Sequence, residues 1–222
     1  DDDDGEITAH DRPKLKLSEQ LVMTPQLQMA IRLLALSASE LPKVIDEWRA
    51  NHPGAITDLA PGEVDPYDEQ EVEDAAENDQ APWFYFDEEP FPSLGADVWV
   101  FGNPPQARIN GRAMLRLKAV FDDRQMTRSA SDVREASWLV RSLRQRAKTY
   151  ERVVAALIAL RPQLAIAVDP SQVEAVKLRD VAEAVGMHES TIQRVATACR
   201  YQTIHGVVKL VASSVKLTFQ SV

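Results

Sequence analysis

The sequence predicts a mostly α-helical fold that extends over several segments and has no single compact core. Residues 131–161 keep a helical apolar period without Gly or Pro, and residues 178–197 fit a helix-turn-helix pattern. Residues 58–89 hold 13 acidic residues and no Lys or Arg. Aromatic residues are only 6% of the 222, and there are 8 Gly against 13 Pro. A turn-rich β-barrel or sandwich is therefore not expected.

Charge is divided unevenly along the chain. Residues 1–106 carry a net charge of −18, and the remainder carries +9. This asymmetry predicts an acidic half and a half that faces nucleic acid. Self-repulsion and low apolar content predict that most of residues 58–89 form a disordered acidic linker. The linker could mimic DNA phosphates or merely keep non-specific DNA away, and the sequence leaves both interpretations open.

Two short amphipathic helices are expected near the N-terminus. Thr24-Pro25 supplies an N-cap followed by Pro at the first helical position. A second helix starts at Ser39 and ends before Pro53-Gly54. Their apolar residues recur at helical spacing, and these are Leu27, Ile31, Leu34, Leu41, Val44, Ile45 and Trp48. The two helices could pack on the rest of the chain or dock on partners.

The middle of the chain offers weaker signals. Four consecutive aromatic residues, 83–86, are expected to anchor the linker on another surface. Residues 98–101 indicate a short extended segment that breaks at Asn103-Pro104-Pro105. Residues 114–121 predict a short helix with Arg116 and Lys118 exposed.

The strongest helix signal begins at Ser131-Asp132 and ends before Pro162. About 30 residues give a helix of roughly 45 Å. Its cations could form a solvated face or face DNA, and they are Arg141, Arg144, Arg146, Lys148 and Arg152.

Residues 178–197 carry the clearest functional signal. Counted from Leu178, the fifth residue is Ala182 and the ninth is Gly186. A small residue at the fifth position lets two helices approach, and Gly at the ninth accepts the positive φ of a tight turn. Ile192 and Val195 would pack the second helix on the first.

The second helix of this motif would place its N-terminal residues at base edges in the major groove. Ser190 could instead cap the helix. The outward residues are Glu189, Ser190, Thr191, Gln193 and Arg194. Flanking cations predicted to contact phosphates are Arg179, Arg200 and Lys209.

Other function classes find no support in the residues. A single Cys199 excludes an intramolecular disulfide framework, the four His are scattered, and no P-loop, HExxH or nucleophile elbow occurs. We therefore expect no enzyme activity, no metal and no cofactor. No apolar run approaches membrane-spanning length and the start is acidic, which predicts a cytoplasmic protein without a membrane partner.

Two motifs at opposite ends resemble one family. Residues 15–34, LKLSEQLVMTPQLQMAIRLL, followed by Leu36-Ser37, resemble the first region of bacterial sigma-N (RpoN-type) transcription factors. Residues 178–195 resemble the helix-turn-helix of that family, and residues 138–146 resemble the start of its long helix. The acidic stretch is similar to its second region, and residues 98–117 are a fainter echo of its third.

The resemblance implies a sigma factor that binds core RNA polymerase and promoter DNA. Such a factor holds a closed complex until an AAA+ activator, which itself uses ATP, remodels the first region. A bacterial, nucleoid-associated location follows. The activator-contacting residues implied are Leu17, Leu21, Met23, Leu27, Ile31, Leu33, Leu34 and Leu36.

The resemblance also implies a division of the chain. The chain is expected to be shorter than family members and to lack part of the core-binding region and the C-terminal RpoN box domain. A truncated module or decoy that binds activator or polymerase without initiating transcription is the alternative. The predicted segments are a disordered tail at 1–14, the activator-interacting helices at 15–54, the acidic linker at 55–96, a remnant of the core-binding region at 97–130, the long helix and its connection at 131–177, and the helix-turn-helix region at 178–222.

Overall fold

The computed structural model describes residues 24–59, 95–110, 115–120, 130–213 and 215–222. Several predictions lie outside these residues. They are the disordered tail at 1–14, most of the acidic linker with its aromatic cluster, and the positions of Leu17, Leu21 and Met23.

The two N-terminal helices are confirmed. Helix α1 spans Pro25–Ala35, and the Thr24 hydroxyl caps it by accepting a hydrogen bond from the Leu27 N–H at 3.2 Å. Helix α2 spans Leu41–Asn51, so it begins two residues after the predicted Ser39. The carboxylate of Glu40 accepts hydrogen bonds from the Ser37 N–H and hydroxyl at 2.9 and 2.6 Å, and this closes the turn between the helices.

Residues 115–120 correct the prediction of a helix at 114–121. Strand β1 (Ile56–Asp58) follows α2 and pairs antiparallel with strand β4 (Leu117–Ala119). Leu117 and Ala119 alternate with a period of two, and both are buried with the long helix, which favours a strand over a helix here. Arg116 and Lys118 are half-buried rather than exposed.

The long helix is confirmed as α3, Ala130–Leu160, which is 31 residues long. A short 3₁₀ turn, Pro162–Ala165, follows its end. The buried face of α3 belongs to two hydrophobic clusters, one along each half of the helix. This helix therefore connects the two halves of the described structure.

Helices α4 (Leu178–Val185) and α5 (Glu189–Ala198) form the helix-turn-helix. A six-stranded sheet, which the sequence analysis did not predict, lies beside them. Its strands are β2 (Val98–Phe101), β3 (Gln106–Ile109), β5 (Val176–Lys177), β6 (Arg200–Thr203), β7 (Gly206–Ala212) and β8 (Lys216–Ser221). Their order in the sheet is β3-β2-β6-β7-β8-β5, and only the β2–β6 pair is parallel.

The expectation of a mostly α-helical chain holds only in part, since about half of the described residues are helical and the sheet was not predicted. The predicted break at Asn103-Pro104-Pro105 is the connection of the β2–β3 hairpin. Inward residues of the sheet share one cluster with α4, α5 and the second half of α3. Helices α1 and α2, strands β1 and β4 and the first half of α3 form the other cluster.

Within the ranges that the structure covers, no helix combines the length and apolar character needed to cross a membrane.

Candidate functional site

The turn between α4 and α5 has the geometry that its sequence predicts. Gly186 ends α4 in the left-handed region at φ 66°, and the Met187 N–H donates to the Ala182 carbonyl at 2.9 Å. A Cβ at position 186 would meet no atom within 4 Å, so the backbone conformation rather than space favours Gly. Ala182, Ile192 and Val195 are buried between the helices. The helix-turn-helix prediction is thus confirmed in structure.

His188, not Ser190, caps helix α5. The His188 Nδ1 atom accepts the Ser190 N–H at 3.2 Å and lies 2.9 Å from the Ser190 hydroxyl oxygen. Of the two roles open to Ser190, capping is therefore excluded in this conformation. A base contact by the Ser190 hydroxyl would have to share it with the His188 ring.

The outward face of α5 holds most of the predicted base-reading residues. Glu189 and Gln193 are exposed, while Ser190 and Arg194 are half-buried beside them. Thr191 is half-buried and lies on the other flank, next to the buried Val195.

Thr197 is also exposed, one turn after Gln193, and its hydroxyl donates to the Gln193 carbonyl of the same helix at 3.0 Å.

The flanking cations differ in how free they are to contact phosphate. Arg179 is exposed, but its Nε donates to Glu183 at 2.7 Å, and this bond, aided by the nearby charges of Glu183, Glu189 and Asp180, raises the pKa of Arg179. A phosphate near Arg179 would meet these acidic groups. Arg200 is half-buried and Lys209 is exposed on the neighbouring strand.

Helix α1 packs directly against the helix predicted to read DNA. It contacts both α5 and α3. Leu33 of α1 is fully buried, whereas Leu27, Ile31, Leu34 and Leu36 are half-buried. Leu33 therefore cannot contact a separate activator while α1 stays docked.

Arg146, a buried cation of the long helix, forms hydrogen bonds with the C-terminal end of α1. Arg146 Nε donates to the Leu33 carbonyl at 2.9 Å, and its Nη2 donates to the Leu36 carbonyl at 2.8 Å. The Tyr150 hydroxyl donates to the Leu34 carbonyl at 2.7 Å, and the guanidinium lies 4.2 Å from the centre of the Tyr150 ring. Helix C-terminal carbonyls lack intrahelical donors. Side chains of α3 supply donors to three carbonyls at this end of α1.

Asp97 supplies the counter-charge of this cluster. Its carboxylate lies 3.5 Å from Arg146 Nη2 and accepts the Arg200 N–H at 3.0 Å. Burial raises the pKa of Asp97, and the positive charge of Arg146 opposes this effect only in part. Burial likewise raises the pKa of Tyr150 far above neutral pH, so its hydroxyl remains a donor. We call Arg146, Tyr150 and Asp97 the latch.

The sequence analysis placed Arg146 among the surface cations of the long helix, and the structure corrects this. Arg146 is only 7% exposed. It follows Leu143 by three residues and precedes Tyr150 by four, which is the spacing of the buried face. The burial of Arg146 could have been predicted from the sequence, because this cation occupies a position of the apolar helical repeat. Arg152 also has a structural role, because its Nη2 donates to the Val185 carbonyl at 2.6 Å and joins α3 to the end of α4.

Two family models match the chain on either side of the acidic stretch. One describes the activator interacting domain of the sigma-54 factor and matches residues 14–48, and the other describes the sigma-54 DNA binding domain and matches residues 126–217. The chain belongs to the sigma-54 family. Sigma-54 factors are non-catalytic subunits of transcription initiation.

Curated relatives agree with this assignment. Proteins named RNA polymerase sigma-54 factor match from Caulobacter vibrioides, with 34% identity over 107 residues, and from Azorhizobium caulinodans, with 38% identity over 94 residues. These matches cover 48% and 42% of this chain but only 21% and 18% of the relatives. A sigma-54 factor of Shewanella violacea is 47% identical over 53 residues, which are 24% of this chain and 10% of the relative. The matched part thus spans about a fifth or less of each relative.

Proposed function

We propose that this chain acts as a sigma-54 transcription initiation factor in the bacterial cytoplasm, at the nucleoid. It binds core RNA polymerase and promoter DNA, and it holds a closed complex until an AAA+ ATPase activator remodels it. In this proposal residues 15–54 contact the activator, and α3, α4 and α5 belong to the DNA-binding unit.

The observation that carries the proposal is the docking of α1 on both α3 and α5. Helix α1 lies in the segment matched by the activator interacting domain, and α5 lies in the DNA binding domain. An activator that moves α1 must therefore change the surroundings of the recognition helix. Because coupling between two binding sites is reciprocal, DNA bound to α5 also changes the stability of the docked α1.

Undocking of α1 would be costly, which suits a blocked state that needs an external energy source. It would expose Leu33, at about 1.5–3 kcal/mol for a large apolar side chain. It would also remove the carbonyl partners of Arg146, whose charge-assisted hydrogen bonds contribute about 1.5–3 kcal/mol each. The neutral bond from the Tyr150 hydroxyl would be lost as well, and such a bond contributes about 0.5–1.5 kcal/mol. An ATP-driven activator supplies the kind of work that this step requires.

On the DNA side, the exposed face of α5 provides chemistry for reading bases. Arg194 can pair with guanine, Gln193 with adenine, and Glu189 can accept from cytosine. Arg200 can contact phosphate, which fixes position without reading sequence, but its side chain lies on the outer side of the sheet and not on the exposed face of α5. Arg179 is less suited because of its acidic neighbours.

The test is reconstituted transcription with this chain, core polymerase and a supercoiled template that carries a sigma-54 promoter. We expect RNA only when an AAA+ activator and ATP are both present. Arg146→Ala should release α1 and yield RNA without activator. Arg141→Ala is the matched control, because Arg141 is an exposed cation of the same helix.

Size-exclusion co-elution with core polymerase separates this proposal from the interaction module. Co-elution without activator-dependent RNA would identify a decoy and contradict an initiation role. Loss of both co-elution and RNA, with the chain still folded by circular dichroism, would show that the chain does not act as a sigma subunit by itself.

A further inference from the structure

The six-stranded sheet carries charge of only one sign. Its strands contain no acidic residue and five cationic ones, Arg108, Lys177, Arg200, Lys209 and Lys216. Arg108 has an acidic partner on the long helix, since its Nη1 lies 3.3 Å from Glu151. The other four cations are Lys177, Arg200, Lys209 and Lys216.

These four cations form two directly opposed pairs. Arg200 faces Lys209 across β6 and β7, and Lys177 faces Lys216 across β5 and β8. The inward residues between them, Tyr201, Val208 and Leu217, are buried, so the cations point to the outer side of the sheet. The three lysines are exposed and Arg200 is half-buried. We call Lys177, Arg200, Lys209 and Lys216 the basic sheet face.

A sheet surface that only faces solvent would not be expected to place like charges directly opposite one another. Like charges directly opposite one another destabilise a sheet, whereas a Lys–Glu pair would keep it soluble and stabilise it. Within the described ranges, no acidic side chain forms an ion pair with Lys177, Lys209 or Lys216. An anionic ligand would relieve the repulsion in both pairs.

The basic sheet face lies on the opposite side of the domain from the exposed face of α5. Inward residues of β7 and of α5 share one hydrophobic cluster, so the sheet and the helix form two layers. The outer side of each layer therefore faces away from the other. A ligand of the sheet is a second contact, separate from that of the recognition helix.

We propose that the basic sheet face binds the phosphate backbone of duplex DNA, at a stretch other than the one read by α5. Two features favour DNA over an acidic protein. Lys209 and Lys216, the nearest members of the two pairs, lie roughly 14 Å apart, given about 4.8 Å between strands and 3.4 Å per residue, so the cations follow an extended line of charge. Gln220 is exposed on the same face, directly opposite Lys209, and its amide can donate to phosphate oxygens.

The basic sheet face belongs to the same folded unit as the helix-turn-helix, since Lys177 directly precedes α4 and Arg200 directly follows Cys199, the C-cap of α5. Because the two faces point away from each other, the sheet would hold DNA that bends round the domain or a second duplex, and α5 can be occupied at the same time. This inference rests on the proposed DNA-binding function and adds a second DNA surface to it.

The test uses the whole chain and a fluorescein-labelled duplex of random sequence, with binding followed by anisotropy over a salt series. For Lys209→Gln/Lys216→Gln we expect the slope of log K against log salt to fall in magnitude by about 1.8, at about 0.9 for each lost phosphate contact. The matched control is Arg32→Gln/Lys43→Gln, which removes the same charge from two exposed cations outside the DNA-binding unit and should keep the wild-type slope.

Thermal unfolding shows whether the variant is folded. Because the substitutions remove repulsion, Tm should stay equal or rise. An unchanged slope in the sheet variant, or an equal fall in the control, would overturn the inference. So would a loss of binding to poly-glutamate with the DNA slope retained, which would indicate an acidic protein partner. If the proposed DNA-binding function itself fails, the wild-type chain will not bind the duplex at all.

Discussion

Arg146 Nε donates to the main-chain carbonyl of Leu33 at 2.9 Å, between residues 113 positions apart in the chain. This bond joins the end of the helix in the activator-interacting segment to the middle of the long helix. The same guanidinium reaches Leu36 and Asp97. A single buried side chain thus links the first region to the DNA-binding unit.

Arg194→Ala is expected to weaken promoter binding. Arg194 lies on the outward face of α5, and loss of a base contact costs about 1–3 kcal/mol and relaxes specificity at one position. Anisotropy with promoter and scrambled duplexes at fixed salt measures both effects. Arg179→Ala is the matched control and should cost less, because Glu183 already holds that guanidinium. Equal losses for the two variants would show that α5 does not read bases through Arg194.

Gly186→Ala is expected to destabilise the chain by about 1–2 kcal/mol, the cost of a left-handed conformation for a residue with a Cβ. No steric clash adds to this cost, since the space around the Cβ is open. Gly186→Asn should cost less, because Asn tolerates this conformation better. Denaturant unfolding provides the free energies. If Gly186→Ala were as stable as the wild-type chain, the turn would not have the left-handed geometry described.

The helix-turn-helix and the long helix could be predicted because their signals are local. Ala182, Gly186 and Ile192 lie within one short stretch, and the turn depends on the backbone freedom of one glycine. The sheet could not be predicted in this way. Its parallel pair joins Val98 to Tyr201, far apart in sequence, and nothing local indicates that these segments meet.

The latch was missed for a different reason. The buried position of Arg146 follows from the helical period, but cations are rarely buried without a partner, so the sequence favoured a surface role. Its partners are backbone carbonyls of Leu33 and Leu36, and the side-chain pattern does not show where backbone groups need donors. Residues 115–120 were misread because three alternating residues are too few to separate a strand from a helix.

Cys199 is expected to be unreactive in the folded chain. The thiol is fully buried, and burial raises its pKa well above the usual value, so little thiolate forms at neutral pH. A chromogenic disulfide reagent should label it only as fast as the structure opens. The same reagent in denaturant should react at once, which serves as the control. Rapid labelling of the native chain would contradict the packing around β6.

The pH dependence of stability is expected to reveal the burial of Asp97. Because its pKa is raised in the folded chain, the folded state binds a proton more readily than the unfolded state, whose pKa is about 3.9. The contribution of Asp97 to stability should therefore grow as pH falls through the raised pKa towards that value.

Thermal unfolding of wild type and Asp97→Asn, measured from neutral pH down to the unfolded pKa of about 3.9, isolates the contribution of Asp97 to stability. Wild type should gain Tm relative to the variant on acidification. A relative loss would mean that pairing with Arg146 outweighs burial and holds the pKa down.

Hydrogen exchange of α1 tests the central claim most directly. Peptides that cover residues 25–35 should exchange slowly in the wild-type chain, because α1 is docked, and much faster in Arg146→Ala. Peptides of α5 should lose part of their protection in the same variant, while Arg141→Ala leaves both unchanged. If α1 exchanged in wild type as fast as an isolated helix, it would not be docked on the DNA-binding unit, and the proposed link between activator and promoter would fail.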